Sequence, residues 1–298
     1  MKPPAFDYHA PRGLGEALEV LAGAGPHGKV LAGGQSLIPL LNMRLASPSH
    51  LVDINRVAEL DTLVVADGGV RVGALARHAA VERSSSVARA QPLLRTALKL
   101  VAHPVIRNRG TVIGSLVHAD PSAELPAVLT VLSGSVRLAR HGGGERDVPA
   151  GAFFTGPLES AVEPGELAVS AFFPSLPPRT GSAFCEVARR HGDYAMAGAA
   201  AVVGLDEDLR IVSAKVACVS VGPVPVLLEM SEVCAHRPAA SVDWAAVAAS
   251  VRERIDPEGD IHATAAYRRH LTGVLAERAL RIAAQEAAGE QGREGLDG

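Results

Sequence analysis

The sequence predicts an α+β protein of two domains, and three observations carry that expectation. Residues 28–56 read as strand, glycine turn, helix and strand. Two Ala- and Val-rich runs, Ala195 to Leu205 and Leu209 to Val221, flank the acidic turn Asp206-Glu207-Asp208 and have the character of an antiparallel pair. Helical patterns at Val242 to Arg254 and Ala263 to Ala288 are expected to cover one face of that pair. A chain of 298 residues also exceeds what one small core needs.

Within the first unit, Lys29 to Ala32 is short and apolar, Ser36 to Leu45 carries helically spaced Leu and Met, and Leu51 to Ile54 is short and β-prone. Val70 to Leu75 follows as a second apolar segment, then a helical pattern from Ala76 to Arg83 and a longer helix between Pro92 and His103. Arg137 to Val148 reads as a hairpin whose tip is His141-Gly142-Gly143-Gly144-Glu145, because no helix start with Lys-Ser or Lys-Thr follows to make it a phosphate loop. Proline and small residues concentrate from Phe172 to Gly181, which places a boundary near residue 177. The expected divisions are residues 1–177, 178–288 and a disordered tail over 289–298.

Composition excludes several classes. With 29 basic and 32 acidic residues interspersed and a net charge of −3, no footprint for nucleic acid or an anionic membrane is present. The start, Met1-Lys2-Pro3-Pro4-Ala5-Phe6-Asp7, has prolines and an acid where a signal peptide needs apolar residues, and no run is long enough to span a bilayer, so a cytoplasmic protein is expected. Cys185, Cys218 and Cys234 are too few and too scattered for a disulfide framework or a four-thiolate cluster. His103, His118 and His191 share no metal-ligand spacing, and no nucleophile elbow occurs, so no metal or catalytic residue is assigned. Arg189-Arg190 reads equally as a solvated strand end or as a cationic patch.

Two segments carry the chemistry. In Ala32-Gly33-Gly34-Gln35-Ser36-Leu37, paired glycines stand between a strand and a helix, with Ser36 placed to cap that helix. Backbone N–H groups approach phosphate oxygens closely at such a turn, and the positive helix end adds favourable charge. Thr111-Val112-Ile113-Gly114-Ser115 again combines hydroxyls with glycine, and leads to Asp120 and Glu124, whose carboxylates suit sugar hydroxyls. Taken singly, a tight capped turn and a surface loop with solvated acids explain the two segments as well.

In order along the chain, Phe6-Asp7-Tyr8 with Pro11, the run LAGGQSLIPLLNMRLASPSHLVDI from Leu31 to Ile54, IRNRGT with HADPSAELPA, EPGEL from Glu163, and the tail from Tyr267 to Leu280 resemble the FAD-binding medium subunit of the molybdenum hydroxylases, the group of carbon monoxide dehydrogenase and xanthine dehydrogenase-like enzymes. That resemblance covers nearly the whole chain. It implies a two-subdomain FAD domain of the vanillyl-alcohol oxidase (PCMH) type and a smaller α+β C-terminal domain with an antiparallel sheet and helices. It implies non-covalent FAD, with Ala32, Gly33, Gly34, Gln35, Ser36, Leu37, Thr111, Gly114 and Ser115 lining the pyrophosphate. By the same resemblance Asp120 and Glu124 face the ribityl and ribose side, Leu167 or Ala168 offers a backbone contact to the ring, and Tyr194 lies beside it. The implied partners are a small iron–sulfur subunit with [2Fe–2S] clusters and a large molybdopterin subunit with the molybdenum cofactor, in a heterotrimer often doubled to a heterohexamer. Electrons would pass from the clusters through FAD to an external acceptor, the flavin joining one- and two-electron chemistry.

Two departures stand out. Ile113 occupies the first glycine position of the family's TIGGS, where a β-branched residue resists positive φ and is expected to crowd a phosphate. Some relatives carry a lysine near the strand containing Phe184, where this chain has Cys185, read as a packed thiol, and Glu186, so an altered flavin potential is expected. Two other functions stay open: a self-sufficient flavin oxidoreductase on the same fold, and a degenerate assembly subunit without FAD, which Ile113 alone encourages.

Overall fold

The computed structural model describes residues 2–66, 68–234 and 236–289, so nine of the ten tail residues, 290–298, lie outside the described residues. The chain separates into two compact units, Met1–Ala90 with Ala102–Asp120 and Ser133–Pro174, and Gln91–Val101 with Pro121–Leu132 and Ser175–Gly298.

The first unit holds two main sheets. Strands β1 (Asp7–His9), β2 (Gly28–Leu31) and β3 (His50–Asp53) form a parallel sheet in the order β1-β3-β2. Helix α1 (Leu14–Ala24) packs on it, burying Ala17, Leu18, Leu21 and Ala24 along one helical stripe. Helix α2 (Leu37–Asn42) joins β2 to β3. The second sheet is antiparallel, ordered β4-β5-β10-β6-β7. Its strands are β4 (Leu63–Ala66), β5 (Gly69–Gly73), β6 (Ser135–Arg140), β7 (Gly144–Pro149) and β10 (Glu166–Pro174), with the short pair β8 (Phe154–Gly156) and β9 (Glu159–Ser160) outside it. Alternation puts Val70, Val72, Val136, Leu138, Ala171 and Phe173 inside. The glycine-tipped hairpin is β6 with β7, as its sequence predicts. Helices α3 (His78–Arg83), α4 (Ser85–Ala90), α6 (Pro104–Arg107), α7 (Val112–His118) and α9 (Ala150–Phe153) complete the unit, α7 lying on β5 and β10.

The second unit is one antiparallel sheet in chain order, β11 (Thr180–Ala188), β12 (Ala195–Leu205), β13 (Ile211–Val219) and β14 (Val226–Glu229). One face carries α11 (Trp244–Arg254) and α12 (Ala265–Ala287), with α10 (Ser231–Cys234) beside them; Ala197, Ala199, Ala201 and Val203 meet Leu275, Ala276, Ala279 and Ala283 there. Alanine on both sides lets the long helix approach the strands closely. The expected helical cover is therefore half of the arrangement, since α5 (Pro92–Leu98) and α8 (Glu124–Val131) pack on the sheet as well, on the side of Phe184 and Ala200. The helix expected between Pro92 and His103 is α5, which ends at Leu98, and the chain beyond it leaves helical conformation with Ala102 at φ 46° and His103 extended before Pro104.

Candidate cofactor-binding site

The first glycine turn leaves β2 at Leu31 and enters α2 at Leu37, with Gly34 at φ 74°. Among the described residues, the N–H groups of Gly33, Gly34, Gln35, Ser36 and Leu37 donate to no backbone or side-chain acceptor, and helical bonding starts only with Ile38 N–H to Gly34 O at 3.0 Å. Five consecutive free donors therefore stand on one turn. Two expectations are corrected. Ser36 sits at the N-cap position in helical conformation (φ −98°, ψ −44°), and its hydroxyl makes no capping bond. The helix stops at Asn42 rather than Leu45, because Leu45 N–H turns back to Leu40 O and Arg44 is left-handed. With six residues, α2 adds little dipole, so the N–H groups themselves carry the attraction for an anion.

The second segment is a helix start rather than a loop. Thr111 is the N-cap, its Oγ1 accepting from Gly114 N–H at 3.1 Å, while Ser115 N–H bonds Thr111 O at 3.1 Å. A Cβ on residue 114 would lie 2.7 Å from Thr111 Oγ1, so glycine is what lets this cap close. The expected crowding by Ile113 is overturned. Ile113 is helical, lacks positive φ, and points its side chain into the core with 3% exposed. A β-branched residue is at ease there, and the spacing Thr-x-x-Gly before an apolar run was the sequence sign of a cap.

The structure brings the two segments into contact. A Cβ on Gly33 would stand 2.5 Å from Arg109 O and 2.8 Å from Gly110 Cα, so the backbones touch where a side chain would separate them. A polar chain runs beneath. Tyr8 OH donates to Asp53 Oδ2 at 2.6 Å; Asp53 Oδ1 accepts from Asn55 N–H at 2.9 Å and Asn55 Nδ2 at 2.6 Å. Asn55 Nδ2 also donates to Ala32 O at 2.8 Å, and Arg77 bonds Asn55 Oδ1 at 2.6 Å and Arg109 O at 2.5 Å. Burial alone would raise the Asp53 carboxyl, but the hydrogen bonds from Tyr8 and Asn55 outweigh it and hold Asp53 below its ordinary value. Asn55 and Arg77 escaped the sequence reading, for their partners are main-chain atoms of other segments.

Behind the contact lies His78, whose N–H bonds Gly110 O at 2.9 Å and whose ring faces Gly110. Among the described residues, neither ring nitrogen has a hydrogen-bond partner. Burial drives its pKa down to about 4, against an upward pull from the Thr111 backbone, with Arg107 and Arg77 adding to the depression.

The remaining predicted residues are spread further. Asp120 follows the left-handed Ala119 that ends α7. His118 is half-buried there, and burial depresses its pKa, opposed by Asp120 and aided by Lys29. Leu167 and Ala168 are buried on β10 just before the register shift between Ala168 and Ser170, where Val169 O accepts Ala74 N–H. Glu124 and Tyr194 belong to the second unit, Glu124 buried at the start of α8 and Tyr194 67% exposed between β11 and β12. Arg189 and Arg190 both pair with Asp193, at 3.6 and 3.4 Å. Cys185 is a packed thiol on the face that α12 covers, raised by burial, and Glu186 has an Oε2 without a partner among the described residues and a pKa pushed by burial to about 7.

The α+β fold and the row of free N–H groups beside a second capped segment define a protein suited to holding a nucleotide diphosphate. The chain belongs to the family described as the FAD binding domain in molybdopterin dehydrogenase, which it matches over residues 4–176, followed by the CO dehydrogenase flavoprotein C-terminal domain over residues 182–283. It is 41% identical to the 6-hydroxypseudooxynicotine dehydrogenase complex subunit alpha of Paenarthrobacter nicotinovorans, over 96% of this chain and 97% of that one. It is 38% identical to the caffeine dehydrogenase subunit beta of Pseudomonas sp. (strain CBB1), over 95% and 96%. Its fold superimposes on the carbon monoxide dehydrogenase of Hydrogenophaga pseudoflava that lacks the Mo-pyranopterin moiety, with a TM-score of 0.89 at 34% identity, covering 95% of this chain and 98% of that one. No helix among the described residues is long and apolar enough to cross a membrane.

Proposed function

We propose that this chain is the FAD-binding electron-transfer subunit of a molybdenum hydroxylase, taking electrons from a [2Fe–2S] subunit and passing them to an external acceptor. The observation that carries the reading is the row of five free N–H donors from Gly33 to Leu37, seated against the Arg109-Gly110 backbone. A diphosphate needs several donors and close backbone approach, and that turn provides both. On the facing segment Gly114 N–H is already committed to Thr111, which leaves the Ile113 N–H and the Ser115 hydroxyl as donors. When bound, FAD supplies reversible one- and two-electron redox chemistry.

The protein's own task is to hold and orient. Asp120 and Glu124 are assigned to the ribityl and ribose hydroxyls, Leu167 and Ala168 to a backbone contact with the ring, and Tyr194 to its side. In chain order the FAD-binding part is residues 1–177 and the C-terminal part 178–288. The small iron–sulfur and large molybdopterin subunits are the partners, doubled in a heterohexamer, and the setting is the cytoplasm, which three free thiols suit. Ile113, buried and helical, strains nothing, and so gives no support to a degenerate subunit without FAD.

The test is titration of the purified full chain with FAD, followed by flavin fluorescence, and metal analysis of what co-purifies from the native host. Stoichiometric FAD, with molybdenum and iron on associated subunits, is the expected result. A chain that stays colourless with excess FAD overturns the proposal.

A further inference from the structure

Asn55 and Arg77 each grip the main chain of a different segment, and they grip each other. Asn55 Nδ2 holds Ala32 O at 2.8 Å, Arg77 holds Arg109 O at 2.5 Å, and the two side chains meet at 2.6 Å. Arg109 O is also the atom that lies closest to where a Gly33 Cβ would be. We infer that Asn55 and Arg77 are positioning residues for the diphosphate, a clamp that sets the gap between the two segments and aims the N–H row outward. The inference rests on the FAD reading above.

Three features support it. In a trans peptide the carbonyl and the following N–H point in opposite directions, so drawing Ala32 O inward turns Gly33 N–H, the first of the five donors, away from the clamp. The Asn55 amide has one workable orientation. Its Oδ1 faces a guanidinium, which only donates, and its Nδ2 faces a carboxylate and a carbonyl, which only accept. Asp53, itself held by Tyr8, completes the anchor. Finally, Arg77 donates one nitrogen to the Arg109 carbonyl and the other to Asn55 Oδ1, so one guanidinium ties both segments together.

The experiment compares the full-length wild type with Arg77→Met, Arg77→Lys and Asn55→Asp. Affinities for FAD and for ADP, which keeps the diphosphate without the flavin, are measured by titration, together with the urea midpoint of each apo chain. Loss of one charged hydrogen bond on this path predicts an affinity lower by about tenfold to a hundredfold for both ligands in Arg77→Met and Asn55→Asp. Arg77→Lys, which keeps one donor and the charge, should recover part of it. At saturating FAD the visible flavin spectrum should match wild type, because the residues assigned to the ring, Leu167 and Ala168 on β10, are not among the clamp's partners. A fall in the urea midpoint with FAD and ADP affinities equal to wild type makes the pair a structural brace only and overturns the inference. If Arg77→Met does not fold, Arg77→Lys decides: wild-type affinity for both ligands overturns it. A wild type that binds ADP but whose variants lose only FAD affinity also overturns it, whereas a wild type that binds neither overturns the functional proposal itself.

Discussion

Replacing Gly33 with alanine tests the central contact of the site. The added methyl would lie 2.5 Å from Arg109 O and 2.8 Å from Gly110 Cα, whereas ordinary contacts of a Cβ begin at 3.4 Å. Relief requires the segments to part by about 0.9 Å, and both neighbours are backbone, one of them held by Arg77. Overpacking of this kind costs about 1–3 kcal/mol of folding stability. The same separation stretches N–H to phosphate bonds beyond useful length. Losing one such charged bond costs about 1.5–3 kcal/mol, a fall in FAD affinity of roughly tenfold to a hundredfold. The assay is FAD titration beside urea unfolding of the apo chain. Gly15→Ala is the control, since a Cβ there meets nothing within 4 Å in helix α1, and it should leave both quantities at wild-type level or better. Gly33→Val, bulkier still, should abolish flavin retention. If Gly33→Ala keeps both the wild-type urea midpoint and wild-type FAD affinity, the close approach does not exist as described.

Ile113→Gly should destabilise the apo chain by about 3–5 kcal/mol, through a buried side chain lost from the core and a glycine placed in α7; an unchanged thermal midpoint would refute the helical placement. His78, with a folded pKa of about 4 against an ordinary 6.5, contributes stability that is full above pH 6.5 and is lost as pH falls toward 4. The span amounts to about 3 kcal/mol, and His78→Leu should flatten that part of the stability profile. Glu186 runs the opposite way: its carboxyl, raised to about 7 from 4.5, is protonated in the fold, so stability declines as pH climbs from 4.5 to 7. Glu186→Gln should remove that decline in urea unfolding measured across the range, and a persisting decline would place its cause elsewhere.

Much of the architecture is legible in local pattern. The Ala- and Val-rich runs on either side of Asp206-Glu207-Asp208 mark β12 and β13, the glycine tip marks the β6–β7 hairpin, and the helical patterns mark α11 and α12, because each signal lies within one short stretch of chain. The glycine turn before α2 is legible for the same reason, as are the family's ordered runs. Thr111 to Ser115 was harder. Its residues suit a loop, and only the cap from Thr111 to Gly114 together with burial of Val112, Ile113 and Leu116 makes it a helix. The role of Gly33 likewise depends on Arg109, 76 positions later, and the clamp with its anchor joins Tyr8, Asp53, Asn55 and Arg77 from three segments. Placing α5 and α8 in the second unit is a decision of the same kind. The sequence by itself determined the C-terminal strand pair and its helices, the hairpin, the glycine turn and the family. The tertiary structure decided which backbones touch, since hydrogen bonds and excluded volume act between atoms close in space, however far apart they stand along the chain.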